Sequence, residues 1–321
     1  MPAVVSLRQQ TGVALLSVLL IFALVSVLTI HMIDQQYLDI RRTQHLMAQD
    51  QAIVYGVSAE ALAIRALYED YKKDNQGSTP LDSLQDDWQQ AVSFPVEGGN
   101  IQAKLTDLQS KLNLNNIKHD YGGSRAALKH LITLLDVHAD AEMIVDSMVQ
   151  WMDEDDIPQG VGAEESYYLG LDPGYRTANQ VFVQVSELRL IRGMNNDLYQ
   201  KLLPYVTVLP EKTAVNLNTA EPLVLESYTG MGDVKDLVAK REQAAFSSVE
   251  AALTNRAKPA DTSGFSVISH YFLLAADVLL DDRQIHSQSI IYRPQQVTAE
   301  ESIRVIQRDR GRRFTSGATS G

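Results

Sequence analysis

The sequence predicts an α+β fold: a long N-terminal helix packed on a small antiparallel sheet, with a large all-α insertion domain. Three observations carry this. Residues 13–33 form an apolar run without a charge when His31 is neutral, and apolar positions recur at helical spacing beyond it up to Tyr71. Strand signals occur twice, around Ile101 to Leu105 and again from Phe265 to Tyr292. Between them, residues 117–258 read as mostly helical. Two consecutive domains are the plainer arrangement, but strand signals on both sides of a helical block favour an insertion.

The N-terminal run is about 20 residues, the length that crosses ~30 Å of hydrocarbon. No Gly or Pro interrupts it between Val13 and Ile33, so one continuous helix is expected. Ser17, Ser26 and Thr29 are its hydroxyl breaks, and a helix can bond a hydroxyl back to its own carbonyls. Arg8 precedes the run and Asp34 follows it, a small bias that puts the N-terminus inside. A cleaved secretory signal would have a shorter apolar core and a small-x-small site; here Asp34-Gln35-Gln36-Tyr37 follows directly. A plain signal anchor is the stronger rival. Beyond the run, Leu46, Ile53, Val57, Leu62, Ala66 and Leu67 mark an amphipathic continuation that Gln76-Gly77-Ser78-Thr79-Pro80 closes.

The remaining elements follow in order. A short polar helix is expected around Trp88, and a β-hairpin turning near Gly98-Gly99. Helices are expected at Ser124 to Leu135, Ala139 to Met152, Ser186 to Arg192, Asn195 to Leu203, Glu221 to Tyr228, Asp233 to Ala244 and Ser248 to Thr254. Strands return at Phe265 to Val278 and Ile285 to Tyr292, and the Arg-, Gly- and Ser-rich residues from Arg308 onward are expected to fray. Leu112-Asn113-Leu114-Asn115-Asn116 is echoed by Val215-Asn216-Leu217-Asn218-Thr219, each an apolar-Asn alternation leading into a helix with Asn or Thr available as its N-cap.

Composition narrows the function classes. The 321 residues carry a net charge of -12, a poor match to a phosphate backbone. With no cysteine, disulfides and thiolate metal sites are excluded. No Gly-x-Ser-x-Gly, His-Glu-x-x-His or phosphate loop is present, and the seven His residues are scattered, so the chain does not read as an enzyme.

Two local patterns remain. Trp151-Met152-Asp153-Glu154-Asp155-Asp156-Ile157-Pro158 is followed by Gly162-Ala163-Glu164-Glu165-Ser166-Tyr167-Tyr168, so six acidic side chains fall within thirteen positions. Ca²⁺ takes about six to eight oxygens from flexible loops. Asp153, Asp155, Asp156 and a Glu returning across Gly160 and Gly162 could supply them with backbone carbonyls. The spacing is not that of an EF-hand, and a solvated acidic turn is the bland alternative. Acidic groups at a helix C-terminus oppose its dipole, however, and a cation would relieve them. The second pattern is Tyr228-Thr229-Gly230-Met231-Gly232 followed by an amphipathic helix from Asp233, which looks like a helix-hairpin-helix. That element would suit a membrane-anchored DNA receptor of a competence system. Lys235, Lys240 and Arg241 are offset there by Glu226, Asp233, Asp236 and Glu242, whereas a DNA footprint should be basic. No nucleic-acid partner is therefore expected.

A short polar leader ending in Gly12 against Val13-Ala14-Leu15-Leu16 resembles a prepilin-type signal. Trp151, Asp153, Asp155, Asp156, then Gly162, Ala163, Glu164, Glu165, Tyr167 and Tyr168, extend the resemblance to the K-type minor pseudopilins of the type II secretion system, as do Pro173, Tyr175, Arg176, Asn179 and Leu203 to Pro210. The resemblance implies that a prepilin peptidase cuts between Gly12 and Val13 and that the new amine of Val13 is methylated. Most relatives in the wider pilin class carry Glu at the fifth mature position, here Ser17; K-type members resemble this chain in lacking it. A carboxylate there costs roughly 2.5–3.5 kcal/mol in lipid and is tolerated by pairing with a neighbouring amine. A subunit without it fits the end of a fibre.

The implied layout has a leader at 1–12, a transmembrane helix at 13–33 and the periplasmic half of a pilin spine at 34–75. A discontinuous sheet domain spans 76–116 and 261–307. The helical insertion at 117–260 contains the acidic loop 151–168 and the hairpin part 213–255, and a flexible tail spans 308–321. The implied ligands of a structural Ca²⁺ are Asp153, Asp155, Asp156, Glu164 and Glu165; in the family an Asp often stands where this chain has Gln150. The implied partners are the I- and J-type minor pseudopilins and the inner-membrane secretion platform, in a Gram-negative cell with the bulk of the chain periplasmic.

Processing is directly testable. Mass spectrometry of the membrane-extracted protein is expected to show an N-methylated Val13, and Gly12→Glu is expected to leave the leader attached, because the peptidase must fit a residue without a side chain at the cut. A wild-type chain still beginning at Met1 in a host with active prepilin peptidase refutes the prepilin reading.

Overall fold

The computed structural model describes residues 11–77, 80–155, 157, 159–228, 230–231, 233–254, 261–280 and 283–310. Two compact units divide at Tyr55 and Gly56. Helix α1 (Thr11–Gly77) runs through the first unit into the second.

In the first unit α1 is the whole of the described structure. Its apolar side chains from Val13 to Ile33 stand exposed, and this is the stretch long and apolar enough to cross a membrane. The hydroxyls behave as an apolar surrounding demands: Ser17, Ser26 and Thr29 each donate to the carbonyl four residues back, at 2.9, 2.8 and 2.8 Å.

In the second unit the far half of α1 packs on a five-stranded antiparallel sheet. Its strands are β1 (Val92–Val96), β2 (Gly99–Asp107), β7 (Tyr271–Leu280), β8 (Arg283–Tyr292) and β9 (Arg304–Arg310), in that spatial order. The predicted hairpin is present between β1 and β2, with Val96 opposite Gly99. Gly98 has φ 79°, and a Cβ on Gly99 would stand 1.7 Å from the Leu279 carbonyl oxygen, so both glycines are required. The buried face of α1 is Ala59, Ala63 and Leu67, which meet Ala103, Leu105, Phe272, Leu274, Ala276 and Ile291. This corrects the predicted stripe: Val57 and Leu62 are 46% and 55% exposed. Small residues line the inward face because the helix sits directly on the sheet. The turn at Trp88 is a single 3-10 turn (Asp87–Gln89), and the Trp88 indole packs edge-on against Phe272 at 5.1 Å.

The helical insertion contains β3 (Leu112–Asn113), α2 (Ser124–Leu135), α3 (Ala141–Met152), α4 (Glu165–Leu169), α5 (Asn196–Leu202), β4 (Val206–Thr207), β5 (Val215–Asn216), α6 (Pro222–Ser227), α7 (Val234–Gln243), α8 (Val249–Ala252) and β6 (Phe265–Ser266). Capping explains many starts. Asp140, Asn195, Asp233 and Ser248 each accept a hydrogen bond from the backbone N–H three residues on, at 3.0, 2.8, 3.2 and 3.1 Å, and Pro222 opens α6. The segment expected as a helix at Ser186 is a 3-10 helix (Val185–Leu190).

The insertion is wider than the sequence boundaries of 117 and 260. Leu112, Leu114 and Phe265 belong to its core. Two-residue parallel pairings close its entry and exit, Leu112 with Val206 and Val215 with Phe265. The strand expected from Phe265 to Val278 is accordingly two strands, one in the insertion and one in the sheet. The tail boundary at 308 is also corrected. Arg308 lies within β9, where its guanidinium grips the buried Glu60 at 2.8 Å and Ser289 donates to the same carboxylate at 2.6 Å. Residues 311–321 of the expected tail lie outside the described residues.

The sequence echo is structural. Asn113 accepts from Asn115 N and Leu209 N, at 3.2 and 3.1 Å. Asn216 accepts from Asn218 N at 2.9 Å and donates to Asp82 O and Ser269 Oγ at 3.0 and 2.9 Å. Asn218 does not cap α6; it holds both backbone polar groups of Phe246, at 2.8 and 3.0 Å. Asn216→Ala leaves several buried groups unpaired at about 1–3 kcal/mol each. Denaturant unfolding of the full chain in detergent is expected to show that loss, whereas Asn196→Ala on the exposed start of α5 is expected to change stability by less than about 0.5 kcal/mol.

Candidate functional site

The N-terminal helix comes first. Residues 1–10 of the expected leader lie outside the described residues; Thr11 and Gly12 are already helical. Ser17 is a neutral group whose hydroxyl is satisfied within its own helix.

The acidic loop is built on the end of α3. Asp153 caps that helix, its N–H donating to Val149 O at 3.1 Å, and its side chain is half-buried. Asp155 is exposed and accepts from Ile157 N at 2.9 Å. Glu164 is only 4% exposed and stands at the N-cap of α4. Glu165 opens α4 and meets Arg176 at 3.4 Å. Asp156 lies outside the described residues. Gln150 uses its amide N–H₂ on the carbonyl of Gln159, so it ties the loop to α3.

Asn179 reaches the same helix end, its N–H donating to Trp151 O at 3.0 Å. Asn179 Oδ1 and Thr177 Oγ1 are buried without a hydrogen-bond partner. Trp151, Tyr168 and Tyr175 pack edge-on or tilted beneath, with centroids 5.3 and 5.4 Å apart in sequence order. Among the described residues, Asp153, Asp155, Glu164 and Glu165 do not bring three carboxylate oxygens within 4.8 Å of one another, so the loop presents one buried and one half-buried carboxylate rather than an assembled ligand cage. Sequence reasoning did not single out Thr177 as a donor, because nothing local marks it.

The hairpin region has a different character. Tyr228 and Met231 are 5% and 1% exposed and belong to the insertion core, and Gly230 turns the chain with φ 87°. Thr229 and Gly232 lie outside the described residues. Of its basic groups, Arg241 is buried and donates to Leu217 O at 2.9 Å, and Lys240 pairs with Asp236 at 3.0 Å. The region packs the insertion together.

A polar cluster that no local pattern announces lies where α1, the sheet and the insertion meet. Among the described residues, Asp70, Asp82 and Asp86 form the group whose carboxylate oxygens lie within 4.8 Å of one another. Arg293, itself 3% exposed, donates to Asp82 Oδ1 at 2.6 Å and to Asp70 Oδ2 at 3.4 Å. Burial and the neighbouring Asp86 and Asp82 push the Asp70 carboxyl up to about 7. Nearby Asp107, fully enclosed, is pushed up to about 6 by burial although Ser269 and Thr219 donate to it.

A long N-terminal helix apolar enough to cross a membrane, a sheet seated on its far half and a helical domain spliced into that sheet define a pilin-like subunit. Residues 110–211 match the family model for type II secretion system (T2SS), protein K. The chain is 33% identical over 316 residues to the type II secretion system protein K of Aeromonas hydrophila, covering 90% of this chain and 94% of that protein. It is 32% identical over 317 residues to its counterpart in Pseudomonas aeruginosa, covering 95% and 94%. A solved structure, the GspK-GspI-GspJ complex from the enterotoxigenic Escherichia coli type 2 secretion system, contains a similar chain. Its TM-score is 0.73 at 29% identity, and the match covers 85% of this chain and 100% of that one. The chain belongs to the type II secretion system protein K family, the K-type minor pseudopilins.

Proposed function

We propose that this chain sits at the tip of the type II secretion pseudopilus, in a complex with I- and J-type minor pseudopilins. There it nucleates and caps the fibre that helps move folded proteins across the outer membrane. The helix from Val13 is held in the inner membrane of a Gram-negative cell, with the N-terminus cytoplasmic and the bulk periplasmic, after processing by prepilin peptidase at the secretion platform. The observation that carries the tip position is Ser17, whose hydroxyl is satisfied by Val13 O and which offers no charge to a subunit above it. The relation to a chain solved with GspI and GspJ supports the choice of partners. Gold labelling of the epitope-tagged full chain in assembled fibres is expected to mark fibre ends. Label spread along the fibre length refutes the tip position.

The acidic loop is proposed to hold Ca²⁺ through Asp153 and Glu164, with Asp155 and Glu165 at its margin and Asn179 Oδ1 as a neutral ligand. Its role is structural: it would offset the carboxylates at the C-terminal end of α3. An ion that binds only the folded chain adds about 2.7 kcal/mol at a hundredfold excess over its Kd. Millimolar Ca²⁺ is expected to raise the Tm of the full chain in detergent and to protect residues 153–165 from protease, and Mg²⁺ to do so less. Asp153→Asn with Glu164→Gln is expected to erase the shift. Overlapping melting curves with calcium and with chelator would return the loop to a solvated acidic turn.

A further inference from the structure

The Asp70 cluster holds three carboxylates against one guanidinium. Their claims on hydrogen-bond donors are unequal. Asp82 is satisfied by Arg293 at 2.6 Å and by Ser269 N at 2.7 Å. Asp86 accepts from Ser83 N, Ser83 Oγ and Trp88 Nε1, at 2.7, 2.9 and 3.2 Å. Among the described residues, Asp70 is met by one guanidinium nitrogen of Arg293, at 3.4 Å. Asp74, one turn further along α1, accepts from Leu81 N at 3.2 Å and adds a fourth negative group. The other charged groups facing the cluster do not balance it. Lys73 points to Asp87 at 2.6 Å, and His270 meets the carbonyl of Arg293 at 3.0 Å. Carboxylates this close cannot all ionise without cost, and the least satisfied one keeps the proton.

The cluster also sits at a joint. Asp70 and Asp74 belong to α1, while Asp82 and Asp86 belong to the segment that leads from α1 to the sheet. Asp82 N also bonds Val267 O at 2.8 Å, and Asn216 of the insertion bonds Asp82 O. Asp70 lines a cleft of about 410 Å³ together with Lys73, Trp88 and Leu274, so water and protons reach it.

We propose that Asp70 is a proton-sensitive latch between α1 and the Leu81–Gln90 segment, seated when it is protonated and strained by repulsion from Asp82 and Asp86 when it is ionised. The group binds its proton in the folded chain up to about pH 7 and in the unfolded chain only to its ordinary 3.8. Between those values the folded state holds more protons, so its stability falls as pH rises through that window and is level above it. The grip on the spine is therefore firmest in an acidified compartment.

The test is a Tm profile of the full chain in detergent from pH 5 to pH 8.5, for wild type and Asp70→Asn, with Asp70→Ala as the second variant should the amide pack poorly. Asp107 and other groups shift both curves alike, so the difference between them isolates Asp70. Asp70→Asn is expected to melt above wild type across this range, with the gap widening from pH 5 to about pH 7, to several degrees, and staying level above that. Parallel curves for both variants overturn the latch. A wild-type chain that gains the same rise at pH 8 on adding millimolar Ca²⁺ or Mg²⁺, while Asp70→Asn does not respond, also overturns it, because the cluster would then be a cation site.

Discussion

Arg293 and Asp82 are buried together, 3% and 0% exposed, and the segments of the second unit converge on that pair. Burying two charges costs several kcal/mol each unless every remaining donor and acceptor is met. Here they are largely met. Arg293 also donates to Ser269 O at 2.9 Å and its guanidinium lies over the Phe272 ring at 5.0 Å. Asp82 takes the Ser269 N–H, and its own backbone is held by Val267 and Asn216. One ion pair thus fixes the end of β8, the start of β7, the exit from the insertion and the segment after α1. An apolar pair would fill the space but would not select this register of four segments.

The insertion depends on that knot and on a device used twice. A large domain spliced into a sheet must keep its two ends together, or the strands on either side lose register. Leu112–Val206 and Val215–Phe265 pair as minimal parallel ladders, and an Asn beside each carries the chain from ladder to helix. Asn can do this because its side chain presents both an acceptor and donors to nearby backbone. The second copy, through Asn216, reaches Asp82 and Ser269, so the insertion's closure and the central ion pair are one network.

The spine is held by a different balance. Ala59 and Ala63 let α1 lie against the sheet, but they bury little area, so polar contacts at both ends add to the seat. Glu60 with Arg308 and Ser289 holds one end and Asp70 with Arg293 the other. The first contact draws in β9, an edge strand, and the second is crowded with like charge. The far half of α1 stays seated on the sheet only while these polar contacts hold, so they matter to the fold as a whole.

The sequence by itself determined whatever depends on neighbours along the chain. Length and absence of charge are read along the chain alone, which is why Val13 to Ile33 was legible as a stretch long and apolar enough to cross a membrane. Helix α2 was read to the residue because its apolar period and flanking glycines are local. The concentration of acid at 153–165 was visible, though not that Glu164 would be buried while Asp155 faced solvent. Tertiary structure alone decided which face of α1 is inward, since alanines carry no strong hydrophobic signal and Val57 and Leu62 carry a misleading one. It also decided the limits of the insertion, because two-residue ladders are too short to show a period. The pairing of Asp82 with Arg293 spans 211 positions. Each is an ordinary charged residue until the fold removes the water around it, and only then does burial make each need the other.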